Sequence, residues 1–340
     1  MSVPLVTSQA VHDAAVNDTA EISVKGKWTN VPALDIGGNK LIVQGKWLKM
    51  AIVLDEEWQI SEVEDPAHCV QVLKDKRPRG LRADIFTFVQ KPPATTPRYK
   101  YFVELESVAV TSTTSFKEWW EKLPQETRKN VRRSQRRGVT VRLCQLDDEF
   151  VNGLVELNND SPMRQRKRYV HYGKSFEEVR KDQLAFLDHS ELIGAYFGEE
   201  LVGFLKLVYR GKTASILTFL PKSSHYDKRP ANALIAKAVE LCESKGITCL
   251  TYGLFNYGNK GDCSARVFKT RNGFEEMLVP RFYVPLTLKG RICLKLNLHR
   301  GLLGIIPHDV IAMGVNLRYK WYKLKELFGR HSLMVEQPRL

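Results

Sequence analysis

The stretch Lys228-Arg-Pro-Ala-Asn-Ala233 sets two cations in front of a proline and a long segment with an apolar stripe. Proline suits the first turn of a helix, where its missing N–H would go unpaired in any case. The free amides of a helix start, and the dipole behind them, favour an anion, and Lys228 and Arg229 add charge to that end. This is chemistry for holding phosphate; two solvated cations ahead of a helix is the competing reading. A second stretch, Tyr252-Gly-Leu-Phe-Asn-Tyr-Gly-Asn-Lys-Gly-Asp262, follows an apolar strand and is rich in Gly, Asn and Tyr. Loops at the C-terminal ends of strands gather ligand groups in α/β folds, which makes Asn256 a candidate substrate contact and Tyr257 a candidate donor to a leaving group. A plain flexible connection explains the same composition. A third stretch holds Arg128, Lys129, Arg132, Arg133, Arg136 and Arg137 on a helix that only Leu123 and Val131 punctuate with apolar side chains. Such a helix contributes little core. Arg132 and Arg136 would present planar forks to phosphate, or belong to a solvated face.

The elements that must position these groups fall into two styles. Residues 1–29 are polar and without sustained periodicity, and read as a mobile leader. Residues 30–115 read as a β-rich module, with strands on both sides of Gly45 and further strands near 83–89 and 99–110. From Phe116 to Pro285 helix and strand alternate. A helix broken at Pro124 and stopped at Gly138 leads to a strand, two amphipathic helices, and then strands 192–197, 201–209 and 213–220. The turns between those three strands are short enough to force antiparallel hairpins. Pro230 to Lys245 is the clearest helix, with Leu234, Ile235, Ala238, Leu241 and Cys242 in one stripe. The strand 247–252 should lie parallel to its neighbour, because a helix crossover separates them. A short helix and a closing strand, 276–284, follow.

Composition bounds the partners. The 340 residues carry a net charge of +14, unevenly placed: residues 1–70 hold five Lys/Arg against ten Asp/Glu. The excess beyond them attracts polyanions such as nucleic acid, anionic lipid or nucleotide cofactors. The segment 286–340 forms a basic amphipathic tail; between Leu286 and Arg330 nine Lys/Arg face two Asp/Glu among Leu, Ile, Trp and Tyr. That composition suits an anionic membrane surface or a helix packed back on the protein. The six cysteines form no C-x-x-C pair, and no histidine follows at zinc spacing, so no metal centre is expected. Scattered thiols fit a reducing cytoplasm. No apolar run approaches the ~20 residues of a membrane span, so a cytoplasmic protein, peripheral at most, is expected.

The element order, strand, two helices, three antiparallel strands, helix, parallel strand, helix, strand, is that of the GNAT acyltransferases. Two motifs narrow the likeness. Trp119-Trp-Glu-Lys-Leu123, with Arg128-Lys-Asn-Val-Arg-Arg133 and Arg137-Gly-Val139, resembles the opening motif of FemAB/CelD-like proteins, and Phe268-Lys-Thr-Arg-Asn-Gly-Phe274 resembles that branch's Phe-Lys…Gly-Phe signature. Together they bracket about half of the chain. The resemblance implies a mixed, mostly antiparallel sheet flanked by helices, and transfer of an acyl group, acetyl in the leading reading, from a coenzyme A thioester to an amine of a sugar or cell-envelope precursor. The acceptor would be a small molecule or lipid-linked. The FemAB side of the family implies aminoacyl-tRNA as the donor instead, and a third reading is a binding protein that kept the fold and lost the activity. In this family the phosphate loop runs Arg or Gln, two residues, Gly, one residue, Gly or Ala. Lys228 to Ala233 fits with Lys first and Ala231 in place of the glycine, so Leu220, Lys228, Arg229, Ala231, Asn232 and Ala233 are the expected donor contacts. Lys269 stands at the family's lysine, which implies phosphate or acyl-oxygen contact, against a solvated helix lysine. Amine acylation needs a base. The strand 213–220 holds no carboxylate, which leaves His225, Asp227 and Glu191 on nearby loops, and His225 titrates nearest neutrality.

Overall fold

The computed structural model describes residues 19–24, 26–59, 61–75, 81–164, 167–256 and 264–301, with 313, 314, 317 and 321 beyond. Strand structure begins earlier than the polar composition suggested. Thr19–Val24 (β1) turns Ala20 and Ile22 inward and pairs with Lys27–Ile36 (β2), so the end of the expected leader is sheet. The chain continues through Asn39–Gln44 (β3) and Met50–Val53 (β4), a helix Pro66–Asp75 (α1), Ile85–Val89 (β5) and Phe102–Ser112 (β6). Then come Phe116–Lys122 (α2), Gln125–Arg136 (α3), Val139–Cys144 (β7), Asp148–Asn159 (α4), a small ribbon of Met163–Arg164 (β8) and Lys167–Arg168 (β9), and Phe176–Leu184 (α5). The last part holds Ser190–Phe197 (β10), Glu200–Arg210 (β11), Thr213–Pro221 (β12), Pro230–Ser244 (α6), Cys249–Leu254 (β13), Ser264–Arg271 (α7), Glu275–Pro285 (β14) and Leu288–Lys295 (α8).

Twelve strands form one sheet in the order β1-β2-β3-β4-β5-β14-β6-β13-β12-β11-β10-β7. Every neighbouring pair is antiparallel except β4–β5 and β12–β13, and in each exception a helix, α1 or α6, makes the crossover that parallel strands require. This is the mixed, mostly antiparallel GNAT-like architecture implied by the element order. The topology also repeats: β2-β3-β4-α1-β5-β6 has the same plan as β10-β11-β12-α6-β13-β14. The halves exchange their last strands, since β14 lies beside β5 and β6 beside β13. Nine register pairs from Glu275↔Val110 to Tyr283↔Phe102 join β14 to β6 at the centre.

Each half has its own apolar core. Leu234, Ile235, Ala238 and Cys242 of α6 are buried with Ile193, Leu205 and Leu207 of the sheet. Phe150, Leu154 and Leu157 of α4 pack with Phe204 and Leu220. In the first half Phe86, Phe88 and Phe282 join Leu34, Leu41 and Leu73. At roughly 1.5–3 kcal/mol for each large side chain taken from water, these clusters carry the fold. The two motifs behind the family likeness touch each other: the Trp119 indole donates to Asn272 O at 3.2 Å, and Thr127 Oγ1 to Arg271 O at 2.8 Å. The start of the tail packs on the first half. Cys293 and Leu294 of α8 are buried, Lys289 reaches Asp84 at 3.1 Å, and His299 Nε2 meets Glu104 at 2.8 Å. The remaining basic tail lies outside the described residues apart from isolated positions, and among the described residues no helix is long and apolar enough to cross a membrane.

Candidate functional site

The parallel strands β12 and β13 pair at three positions only, Thr213↔Cys249, Ala214↔Leu250 and Ser215↔Thr251, although β12 runs on to Pro221 and β13 to Leu254. Beyond Ser215 the two strands part. At the last joined register the hydroxyls of Ser215 and Thr251 meet, and Arg210 Nη2 donates to Ser215 Oγ at 2.9 Å. Past it, β12 carries a bulge that leaves Leu217 unmatched on β11, and β13 shifts register on β6 through Gly253, whose φ of 54° suits glycine. Parting strands strands their carbonyls, and a buried unpaired carbonyl is costly. Lys269 answers this. It is 1% exposed, and its Nζ donates to Tyr252 O at 2.5 Å and Leu254 O at 2.7 Å while lying 4.3 Å from the Tyr252 ring. Aromatic rings stand at the opening: Phe219 against Tyr252 at 5.6 Å and against Phe268 at 5.5 Å.

The equivalent pair in the first half, β4 and β5, also joins at three positions. There the chain after β4 folds back, and Glu56 takes the Val89 amide at 2.6 Å and pairs with Arg281 at 3.2 Å. The second half therefore holds the open splay.

Two cavities meet at that splay, sharing Tyr169, His171, Leu217, Thr218 and Leu220. One, of about 930 Å³, runs from the first turn of α6 to α7. Its described lining contains Arg164, Lys167, Arg168 and Arg229 and no carboxylate. The other, of about 710 Å³, lies toward the first half; its described lining contains Glu21, Asp55, Glu56, Glu57 and Asp182 and neither Lys nor Arg. Opposite potentials thus face each other across one strand.

The wall between α4 and α5 builds the junction. Arg164 Nη1 donates to Pro221 O at 3.0 Å, and its guanidinium lies 4.9 Å from the Tyr169 ring centre. Burial pushes the Tyr169 phenol up to about 12, so it stays protonated and donates to Asn158 Oδ1 at 2.9 Å. Asp160 receives the Ser223 amide at 2.8 Å and fixes the loop ahead of α6. Burial works to raise the Asp160 carboxyl, but the Ser223 hydroxyl and amide outweigh it and hold it below the usual range. The α6 start has no side-chain cap, and Arg229 precedes it in the left-handed region at φ 58°.

The structure separates the residues singled out from sequence. Leu220, Arg229, Ala231 and Asn232 line the basic cavity, with Asn232 Nδ2 donating to Asn272 Oδ1 at 3.0 Å. Lys228 and Ala233 do not line it; Lys228 Nζ lies over the Phe197 ring at 4.7 Å and 3.6 Å from Asp227. His225 turns toward the β10–β11 hairpin, with Nε2 3.5 Å from Glu200, and borders neither cavity. Lys269 is held by strand carbonyls, as above. Asn256 Nδ2 donates to Glu276 at 2.6 Å. Arg132 stacks on Trp120 at 5.5 Å and Arg136 is exposed, both away from the cavities. Tyr257 lies outside the described residues. Sequence reading missed the segment from Arg164 to Lys174, and Asp182 after it. Its signal was present, since Arg-Gln-Arg-Lys-Arg-Tyr-Val-His-Tyr interleaves cations with aromatics. Among the described residues no group of three or more His, Cys, Asp or Glu is placed to hold a metal ion.

No protein-family model matches the sequence, and none of the curated proteins matches it. Solved structures do resemble it. The C-terminal domain of a candidate lysylphosphatidylglycerol synthetase from Agrobacterium fabrum is 15% identical, covering 78% of this chain and 87% of its own, with a TM-score of 0.53. FemX is 11% identical over 81% of this chain and 89% of its own, TM-score 0.52. L-PGS from Bacillus licheniformis is 15% identical over 79% and 87%, TM-score 0.50. At these identities the likeness is one of fold.

Proposed function

We propose that the chain is a GNAT-like acyltransferase whose basic cavity takes a phosphate-bearing acyl donor, and whose acyl group passes to an amine at the splayed end of β12. The observation that carries this reading is the cavity itself: four cations and no carboxylate among its described lining, set against an uncapped helix start. Backbone amides and the dipole of α6 favour phosphate there, Arg229 immediately precedes that helix, and Arg164, which also pairs with Asp160 at 3.5 Å, is a further cation of the lining. Beyond Ser215 the amides of β12 on its β13 side have no β13 partner, and free strand amides are donors of the kind that hold a carbonyl oxygen as it gains negative charge during acyl transfer. A coenzyme A thioester is the leading donor. Aminoacyl-tRNA is the second reading, favoured by Lys167 and Arg168, which sit exposed on the rim, and by the shared fold with FemX and the lysylphosphatidylglycerol synthetase domain. The acceptor would be a small or lipid-linked amine, met in the cytoplasm or at an anionic membrane through the basic tail.

The two donors separate in one screen. A ligand bound only by the native state at a hundred times its Kd adds about 2.7 kcal/mol to stability. Acetyl-coenzyme A should therefore raise the melting temperature, or a charged tRNA should bind with an affinity that falls steeply with salt. Silence from both would sink the transferase reading.

A further inference from the structure

We infer that the acidic cavity is the acceptor site, that it takes a primary alkylammonium, and that His171 removes the proton that frees the amine. This rests on the transferase reading and names its second substrate. Three of the five acids there are already paired: Glu21 with Lys181 at 2.7 Å, Glu56 with Arg281 at 3.2 Å, and Asp182 with Lys174 at 2.6 Å. Asp55 and Glu57 have no ion-pair partner among the described residues. Burial, helped by Glu106, pushes the Glu57 carboxyl up against the pull of Arg210, Lys269 and a hydrogen bond from the Gly253 amide, and an arriving cation would offset the cost that is left. Trp28, Trp58, Tyr169 and Phe186 line the chamber among these acids. Trp28 already carries Lys181 at 4.9 Å and Tyr169 carries Arg164, so Trp58 and Phe186 are the rings there of the kind that attracts a further ammonium group. Among the described residues the side-chain oxygen of Gln183, itself 8% exposed, is buried beside this cavity without a hydrogen-bond partner and is of the type that accepts from an ammonium. The buried indole N–H groups of Trp28 and Trp58 also lack partners there, but as donors they suit only the neutral amine. An acid-lined chamber with aromatic walls and an unpaired acceptor beside it fits an amine on an organic chain.

His171 stands where this chamber meets the donor cavity. Its Nδ1 lies 3.0 Å from Asp182 Oδ2, which favours the proton on Nδ1 and leaves the Nε2 lone pair for a base. Burial acts to raise Asp182, but hydrogen bonds from His171 and Lys174 outweigh it, so the carboxylate is ionised when it orients the ring. The ionisable groups around the imidazole are Asp182 on α5, Lys174 behind it, Tyr169 at 5.3 Å on its own segment, the acids of the chamber, and on the other side the cations of the basic cavity that His171 also lines, Arg164, Lys167, Arg168 and Arg229. The ammonium gives one proton to Nε2. The neutral nitrogen attacks the acyl carbon, a C–N bond forms, and the bond from carbon to the thioester sulfur or ribose oxygen breaks. The second N–H proton passes to that leaving group, and His171 returns its proton to water.

Calorimetry with n-hexylamine and n-hexanol at pH 7 tests the site. Hexylammonium should bind at least tenfold more tightly than the alcohol, and Asp55→Asn with Glu57→Gln should remove that preference without changing coenzyme A affinity. Should the double variant fail to fold, exposed Asp55→Asn alone should still weaken hexylamine severalfold. Equal binding of amine and alcohol, or an unchanged preference in a folded variant, overturns the site. Single-turnover acetyl or aminoacyl transfer to hexylamine tests the base. His171→Gln should slow transfer by about a hundredfold at pH 7, keep hexylamine affinity, and recover as pH nears the amine's own pKa. A deficit that does not change with pH overturns the base. A wild type that binds hexylammonium and transfers nothing from either donor overturns the transferase reading and the base, while the ammonium site stands.

Discussion

Gly273 is where the two motifs of the family likeness lock, and Gly273→Ala tests whether that lock is structural. A Cβ there would sit 2.8 Å from Trp119 Nε1 and 3.2 Å from Leu123 Cδ2, on a backbone with φ of 82°. The left-handed backbone costs an L side chain roughly 1–2 kcal/mol. Forcing a methyl into this contact adds about 1–3 kcal/mol, because Trp119 is 4% exposed and its indole is tied to Asn272 O. The sum is about 2–5 kcal/mol. Gly211→Ala is the control, since Gly211 has φ of 57° and open space where its Cβ would go. It should lose only the conformational part. Chemical denaturation followed by circular dichroism reads both variants, and Trp119→Phe in each background gives a double-mutant cycle. We expect Gly273→Ala to cost at least about 1 kcal/mol more than Gly211→Ala, and Trp119→Phe to recover more than about 0.5 kcal/mol of it. Equal costs for the two glycines, or no coupling to Trp119, would refute the packing explanation.

Arg229→Gly should raise thermal stability by relieving a left-handed arginine, and should weaken donor binding by removing a cation from the basic cavity; a change of both in the same direction contradicts its placement. Burial lowers Lys206 to about 8, where it donates to Gln183 O and Ala185 O at 2.6 Å. The unfolded chain holds that proton more tightly, so the ionised lysine costs stability below pH 8, and the cost is relieved as pH rises toward the unfolded value near 10.5. Relative to Lys206→Met, wild-type stability should therefore gain up to about 3 kcal/mol across that window, and a flat difference in parallel urea titrations would count against it. Truncation after Pro285 should lower the melting temperature by several degrees, because Cys293, Leu294 and His299 are buried, whereas truncation after Gly301 should abolish sedimentation with anionic liposomes. Retained sedimentation in the second case would remove the tail from any membrane contact.

Periodicity settled the elements of the second half. The stripe Leu234, Ile235, Ala238, Leu241 and Cys242 and the short hairpin turns each specify local geometry, and β10, β11, β12, α6 and β13 lie where that chemistry put them. The parallel pairing of β12 with β13 followed as well, since a helix separates two apolar strands. The first half was legible as β-rich, but its repeat of the second half was not, because an exchanged strand leaves no mark in local sequence: β6 and β14 pair across more than a hundred and fifty residues. The donor end was partly legible for the same local reason, as a proline and its neighbours announce a helix start. Lys228 and His225 were drawn in by spacing and titration range, and tertiary packing turned them to Phe197 and Glu200. Residue type determined that cations, acids and aromatics were available. Which cations gathered around one cavity and which acids around the other was decided by folding, because charge acts through space and the walls of each cavity come from strands and helices far apart in the chain.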